Sequence, residues 1–370
     1  MRPIYIWQHP AWPVFTWNDS RLITLLSEVH SLEGRIYGMM SGLGFDIQSH
    51  ASLDVMTEDV LRSNEIEGVI LNSDRVRSSI AKHLGLDTVG MPEPDHYTEG
   101  VVQVMIDAVK NCQNPLDTER LCSWHAAMFP TGRSGMYAIT VGRYRTGDEP
   151  MQIVSGAMGK EKVHYEAPPS DAVPRMMDEF ITWVNGCQNI DPILKAAVAH
   201  LWFVAIHPFD DGNGRLCRTI TDMLLAKADG YRLRFYSMSA EILREKKSYY
   251  EVLEKTTTGT PDLTVWLEWF LQTMKSAILR SQDMAKRIVS KSSFWQRNRH
   301  ISMNERQVKV INMLWEGFDG KLTSSKWAKI TKSSQATALR DITDLVGKGI
   351  LSVASDGGRS THYILNEDEK

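Results

Sequence analysis

The chain lacks several features that would assign it to a class at once. Its four cysteines, Cys112, Cys122, Cys187 and Cys217, are scattered, and no C-x-x-C pair occurs among its 370 residues. That spacing argues against a disulfide framework or a zinc site and fits reduced thiols in a cytoplasm. No run approaches 18 uninterrupted apolar residues, so no membrane span is expected. The N-terminus, MRPIYIWQHPAWP, has no apolar h-region, so no signal peptide is expected either. Charge is nearly balanced, with a formal net charge of −3. A global pull toward nucleic acid or membrane is therefore absent. There is no internal repeat and no low-complexity segment. What remains is 42% hydrophobic and 24% charged, the composition of a globular protein of two or three domains.

Most of the chain has helical periodicity. Leu22, Leu25, Leu26, Val29, Leu32 and Ile36 predict a helix over 20–40. Further helices are predicted over 54–69, 74–84, 97–111, 117–128, 171–186 and 191–206. After a central loop come 213–228, 239–257 and 261–289. The segment 135–169 is rich in Gly, Val, Ile, Tyr and Thr, and predicts a β-hairpin on a helical body. From about 290 a polar, basic stretch resembles a linker. Helices at 305–316, 323–331 and 333–349 follow, then strands at 350–353 and 362–365 around SDGGRS, a winged-helix pattern. The fold class is mainly α, in three parts: 1–95, 96–289 and 290–370.

The loop HPFDDGNGRLCR, His207 to Arg218, carries the chemistry. It lies between two helices, so Gly212, Asn213 and Gly214 stand at a helix N-terminus, where free backbone N–H groups and the helix dipole favour an anion. Arg215 and Arg218 share a face of the first helical turn, where cations oppose the dipole. A bound polyphosphate resolves that conflict. Asp211 would repel such a ligand on its own and would anchor it through Mg²⁺. His207 is a candidate general base for an attacking hydroxyl. Taken singly, a His–Pro turn, a G-N-G cap or an Arg pair is usually only structural. Together, at this spacing, they describe a nucleotide-transfer site.

These residues resemble the Fic family, whose signature H-x-F-x-D/E-G-N-G-R-x-x-R is matched at every specified position. The resemblance implies a helical bundle with a β-hairpin flap. It implies transfer of AMP from ATP to Ser, Thr or Tyr of a target protein, with pyrophosphate released. His207 is then the base, Asp211 the Mg²⁺ ligand and Phe209 a core anchor. The backbone of Gly212, Asn213 and Gly214 is the anion nest, and Arg215 and Arg218 are phosphate ligands. GRYRTGDEPMQIVSG and VHYEAPPS resemble the flap, which places Ile153, Val154 and Ser155 near the phosphates and presents a target segment as an added strand. SYYEVLEKT resembles the segment bordering the adenine, which makes Tyr249 and Tyr250 candidates there; some relatives carry Asn where Thr257 stands. SNEIEG, with Ser63, Glu67 and Gly68, resembles the inhibitory motif S/T-x-x-x-E-G/N. The implied brake is a salt bridge from Glu67 to Arg218 that leaves ATP in an unproductive pose.

The opening segment and VRSSIAKHLGL resemble a domain of unknown function that precedes some Fic cores. Trp7, Trp12 and Trp17 are expected to pack as a plate, and His200 as a buried helix residue. Ser334, Gln335, Thr337 and Arg340 of the recognition-helix candidate could touch DNA, aided by Lys321, Lys326, Lys329, Lys332 and Arg359, although the acidic tail opposes it. Two other readings stay open: a nucleotide-sensing DNA-binding regulator, and removal of AMP by the same site. A homodimer also stays open.

Overall fold

The computed structural model describes residues 5–155, 162–187, 189–230, 234–315, 318, 320–354 and 361–366. Arg359, the SDGGRS turn and most of the acidic tail lie outside them. The chain divides into two units, Met1–Gln282 and Asp283–Lys370. The first is helical. Its elements are α1 (Asp19–Ser41), α2 (Phe45–Ile66), α3 (Ser73–Leu84), α4 (His96–Lys110) and α5 (Thr118–Met128). Two short antiparallel pairs follow: β1 (Arg133–Ser134) with β2 (Tyr137–Ala138), and β3 (Gln152–Ser155) with β4 (Lys162–Glu166). Then come α6 (Val173–Asn185), α7 (Pro192–Ile206), α8 (Asn213–Asp229), α9 (Met238–Arg244), α10 (Lys246–Thr257) and α11 (Thr264–Arg297).

Helix α7 is the axis of this unit. Pro192 opens it and the Asp191 side chain caps it, both standard N-terminal devices. Every residue from Ile193 to Ile206 except Lys195 is buried. An α-helix that is apolar all round must be covered on all sides. α8 packs along it, and the fully buried Trp266 of α11 donates its indole N–H to Ala197 O at 2.8 Å. Each large side chain so buried contributes about 1.5–3 kcal/mol. His200 is enclosed here as well. Its Nδ1 meets Thr221 Oγ1 and its Nε2 meets the Tyr249 hydroxyl, both at 2.9 Å, and burial pushes it down to about 3.

The tryptophans expected to form one plate take separate roles. Trp12 packs edge-on against Phe15 and Trp202. Trp7 donates to Glu166 O, and Trp17 to Asp19 Oδ1. The predicted helix over 239–257 is two helices, broken at Glu245, whose φ of −105° and ψ of 28° leave the helical region. The helix predicted to end near 289 continues to Arg297, because Phe294 finds cover in the second core.

That second unit has α12 (Glu305–Trp315), α13 (Ser324–Thr331) and α14 (Gln335–Gly347), then β5 (Leu351–Val353) paired antiparallel with β6 (Tyr363–Leu365). Its core gathers Phe294, Val310, Trp327, Ile342, Leu345 and Leu351. Among the described residues no helix is long and apolar enough to cross a membrane.

Candidate functional site

Helix α7 stops at His207, whose backbone is left-handed (φ 51°, ψ 60°). For a residue other than glycine that conformation is uncommon and strained. Arg145, itself buried, holds it there. Its Nε donates to His207 O at 2.8 Å, its Nη2 to Pro168 O, and its backbone N–H to Pro208 O. His207 Nδ1 lies 3.3 Å from Val204 O. A carbonyl only accepts, so Nδ1 carries the proton and Nε2 keeps a lone pair. Burial pushes His207 down to about 4, against the Val204 bond that pulls it up.

The rest of the turn is braced from within. Phe209 is fully buried and stacks on His125, with ring centroids 4.3 Å apart. The Asn213 side chain accepts from Phe209 N and donates to Phe209 O, so it closes the turn and leaves only its backbone for a ligand. Gly212 has φ +79°, and a Cβ there would lie 2.8 Å from the Phe129 ring. Beyond it α8 begins, and the N–H groups of its first turn have no acceptor within the helix. Asp211 Oδ1 accepts from Gly212 N, and Oδ2 from the Ser134 hydroxyl. His125 Nδ1 accepts from Gly142 N, which leaves Nε2 to donate to Asp211 O at 3.1 Å.

Both arginines of α8 are buried and already engaged. Arg215 lies 4.7 Å over the Phe129 ring and donates to the Tyr97 hydroxyl at 2.8 Å. Arg218 Nε donates to Ser63 Oγ at 2.9 Å, and Nη2 to Ser63 O at 2.8 Å and Glu67 Oε1 at 2.7 Å. Burial lowers the Arg218 pKa and the Glu67 carboxylate raises it, for a net rise. Arg215 Nε and Arg218 Nη1 are buried without a protein partner. Glu67 comes so close to α8 that a Cβ on Gly214 would lie 2.1 Å from its Oε1. Only glycine admits the carboxylate there. Gly68, at φ +79°, turns the chain away just after it.

A cavity of about 630 Å³ opens beside these groups. Glu67, Val204, His207 and Gly214 line it, with Tyr249 and Tyr250 from α10 and Ile153, Val154 and Ser155 from the hairpin. The structure thus brings together sequence-predicted residues from four segments. Tyr249 is buried and its hydroxyl is spent on His200, so it offers the cavity a ring surface; Tyr250 is partly exposed. Thr257, another lining residue, donates its hydroxyl to Leu253 O.

Several contributors carry no sequence signal of their own. Arg145, His125, Ser134 and Tyr97 are single polar residues far from the loop in sequence. Glu254 and His164 are two more. His164 Nε2 meets Ser155 Oγ at 2.5 Å, and its Nδ1 meets Glu254 Oε2 at 2.7 Å. Lys162 Nζ reaches Glu254 Oε1 at 3.1 Å.

Among the described residues no cluster of three or more His, Cys, Asp or Glu side chains is gathered as a metal cage. One carboxylate, Asp211, beside a helix N-terminus fits Mg²⁺, which takes one or two protein carboxylates and completes its shell with phosphate oxygens and water.

Residues 5–86 match the family model "Domain of unknown function (DUF4172)", and residues 115–225 match "Fic/DOC family". The protein adenylyltransferase Fic of Drosophila grimshawi is 41% identical over 98 residues, covering 26% of this chain and 19% of that protein. Its namesake in Aedes aegypti is 41% identical over 86 residues, covering 23% of this chain and 16% of that one. The chain spans less than a third of the length of the curated relatives it matches. The crystal structure of a Fic family protein from Desulfovibrio desulfuricans shares the fold, with a TM-score of 0.52 at 19% identity, covering 98% of this chain and 99% of that one.

Proposed function

We propose that this chain, whose residues 115–225 match the Fic/DOC family model and whose residues 5–86 match DUF4172, transfers AMP from ATP to a Ser, Thr or Tyr hydroxyl of a protein, and that Glu67 restrains the reaction. The observation that carries this reading is Glu67, seated on Gly214 and paired with Arg218 in the cavity that also holds His207. In the transfer, His207 Nε2 accepts the hydroxyl proton, the oxygen forms its bond to the α-phosphorus, and pyrophosphate departs. The N–H groups of the α8 first turn hold phosphate oxygens, as helix N-termini do. Arg218 Nη1 and Arg215 Nε, buried and unpartnered, suit the same charge. Mg²⁺, held by Asp211 and the phosphates, would neutralise charge on the departing pyrophosphate.

The β3–β4 hairpin supplies a strand edge on which a target segment can lie, presenting a hydroxyl with little demand on its sequence. Tyr249 and Tyr250 border the adenine in this reading. A cytoplasmic setting, in which the four cysteines stay reduced, belongs to the same reading. The three helices and β-pair of the second unit support DNA binding as a second reading; salt-dependent binding to a defined duplex would reveal it.

The test incubates wild type, Glu67→Gly and Glu67→Gly/His207→Ala with Mg²⁺ and ATP labelled at the α-phosphate. Breaking one charge-assisted contact worth about 1.5–3 kcal/mol should raise protein-bound label roughly 10- to 100-fold in Glu67→Gly. The double variant should lose it. Label equal in wild type and Glu67→Gly removes the brake. Label retained without His207 removes the assigned base.

A further inference from the structure

Helices α2 and α8 meet along a polar seam. On α2 the residues are Asp59 and Ser63, with Glu67 at its C-cap; on α8 they are Asp222, Arg218 and Gly214. Each set is spaced by four, hence on one helical face. Numbering rises along one helix as it falls along the other, so the helices run antiparallel. Glu67 faces Gly214, and Ser63 and Glu67 bond Arg218. Asp59 and Asp222 face each other through a third residue, Arg234. Its Nη1 contacts Asp222 Oδ1 and lies 3.9 Å from Asp59 Oδ2.

All three are buried, and the cluster is incompletely satisfied. Arg234 Nε and Nη2 and Asp222 Oδ2 have no protein partner. Burial pushes Asp222 up to about 7 even with Arg234 against it. A buried ion cluster of this kind adds little net stability, and its best attested use is to fix register. Asp59 is pinned from another side as well. Its Oδ1 accepts from Ser237 Oγ at 2.6 Å and from Ser239 N at 3.2 Å, at the N-terminus of α9. An apolar trio would pack these helices yet would let α2 slide; opposed carboxylates on a shared cation allow one alignment.

We propose that Asp59, Arg234 and Asp222 form a buried clamp that sets the register of α2 on α8 and so aims Glu67 at Arg218. They are positioning residues: they touch neither the cavity nor the reacting atoms. The inference rests on the reading of Glu67 as a brake. It adds that release can come from loosening the seam two helical turns away, with Glu67 intact.

The test uses the full chain carrying Asp59→Asn, Arg234→Met, Glu67→Gly, and Asp59→Asn with Glu67→Gly. Two quantities are read: protein-bound label from α-labelled ATP with Mg²⁺, and hydrogen exchange of the amides from Asn64 to Gly68. Folding of each variant is checked by cooperative melting. Asp59→Asn should raise label about tenfold, within the usual range of site coupling, while lowering the melting temperature. A merely structural role would lower both. It should add less than about twofold once Glu67 is gone, since both changes remove one interaction. Exchange from Asn64 to Gly68 should quicken in Asp59→Asn and Arg234→Met. If both fold yet label no faster than wild type while Glu67→Gly is active, the clamp is overturned. If Glu67→Gly gains no label over wild type, the brake reading falls, and if neither protein labels, the AMP-transfer reading falls with it. Exchange then decides the clamp alone, and unchanged protection in Asp59→Asn refutes it.

Discussion

His207 combines an unusual backbone with an ordinary chemical task, and the two are linked. The left-handed turn ends the apolar helix α7 at His207, and Val204 O fixes the tautomer with Nε2 open. Burial holds its pKa near 4, so the neutral base predominates from about pH 5 upward. The sign follows: protonation switches the base off only on the acid side of that value, well below the ordinary 6.5. The rate of AMP transfer by Glu67→Gly should therefore stay flat from pH 8 to about 5 and fall toward pH 4. A fall centred near 6.5 would mean that His207 titrates as if exposed. At this scale the sequence was informative where roles are contiguous. The His207–Arg218 loop puts the proposed base, Asp211, the glycine turn and both arginines in one helical turn and its approach. Arg145, His125 and Tyr97 were invisible because each acts across the fold, on backbone atoms or an arginine far from it in sequence.

At the level of elements, most helices were legible to within a few residues, because one apolar face must be covered; α2, predicted over 54–69, instead begins nine residues earlier, at Phe45, and ends at Ile66. α7 was read as a helix from its apolar run, and the course of α8 from its glycine start. The break at Glu245 was not, because amphipathic spacing passes through it undisturbed. Nor was the seam of α2 with α8 legible beyond Ser63 and Glu67: Asp59 and Asp222 look like exposed helix acids until Arg234 is placed between them. The hairpin was foreseen, but its tie to α10 was not. Glu254 accepts from Lys162 and bonds His164 on β4, closing one wall of the cavity. Exposed pairs of this kind are worth about 0.2–1 kcal/mol each. Glu254→Ala should therefore raise the KM for ATP about 2- to 10-fold, with kcat less affected, in steady-state kinetics on the Glu67→Gly background. A loss confined to kcat would place Glu254 in the chemistry instead.

For the whole molecule, the two units have separate cores. The second is closed by Trp327, Leu345 and their neighbours, with Phe294 contributed from the end of α11. A domain with its own core folds alone, so a fragment of residues 283–370 should melt cooperatively by circular dichroism, and the full chain should show two thermal transitions. One transition, with the fragment unfolded, would mean that the second core depends on the first. Residues 5–86 and 115–225, which match two separate family models, by contrast lie in one unit, so the carboxylate of Glu67 and the guanidinium of Arg218 meet although they stand 151 positions apart in the chain. In the proposed reading this carboxylate is a tethered rival of the phosphate for Arg218, with an effective concentration of about millimolar or higher. Restraint of that sort is a ceiling set within the molecule: nucleotide held in the unproductive pose already fills the cavity, so a larger supply would not lift the restraint, and only a change that moves Glu67 off Arg218 would.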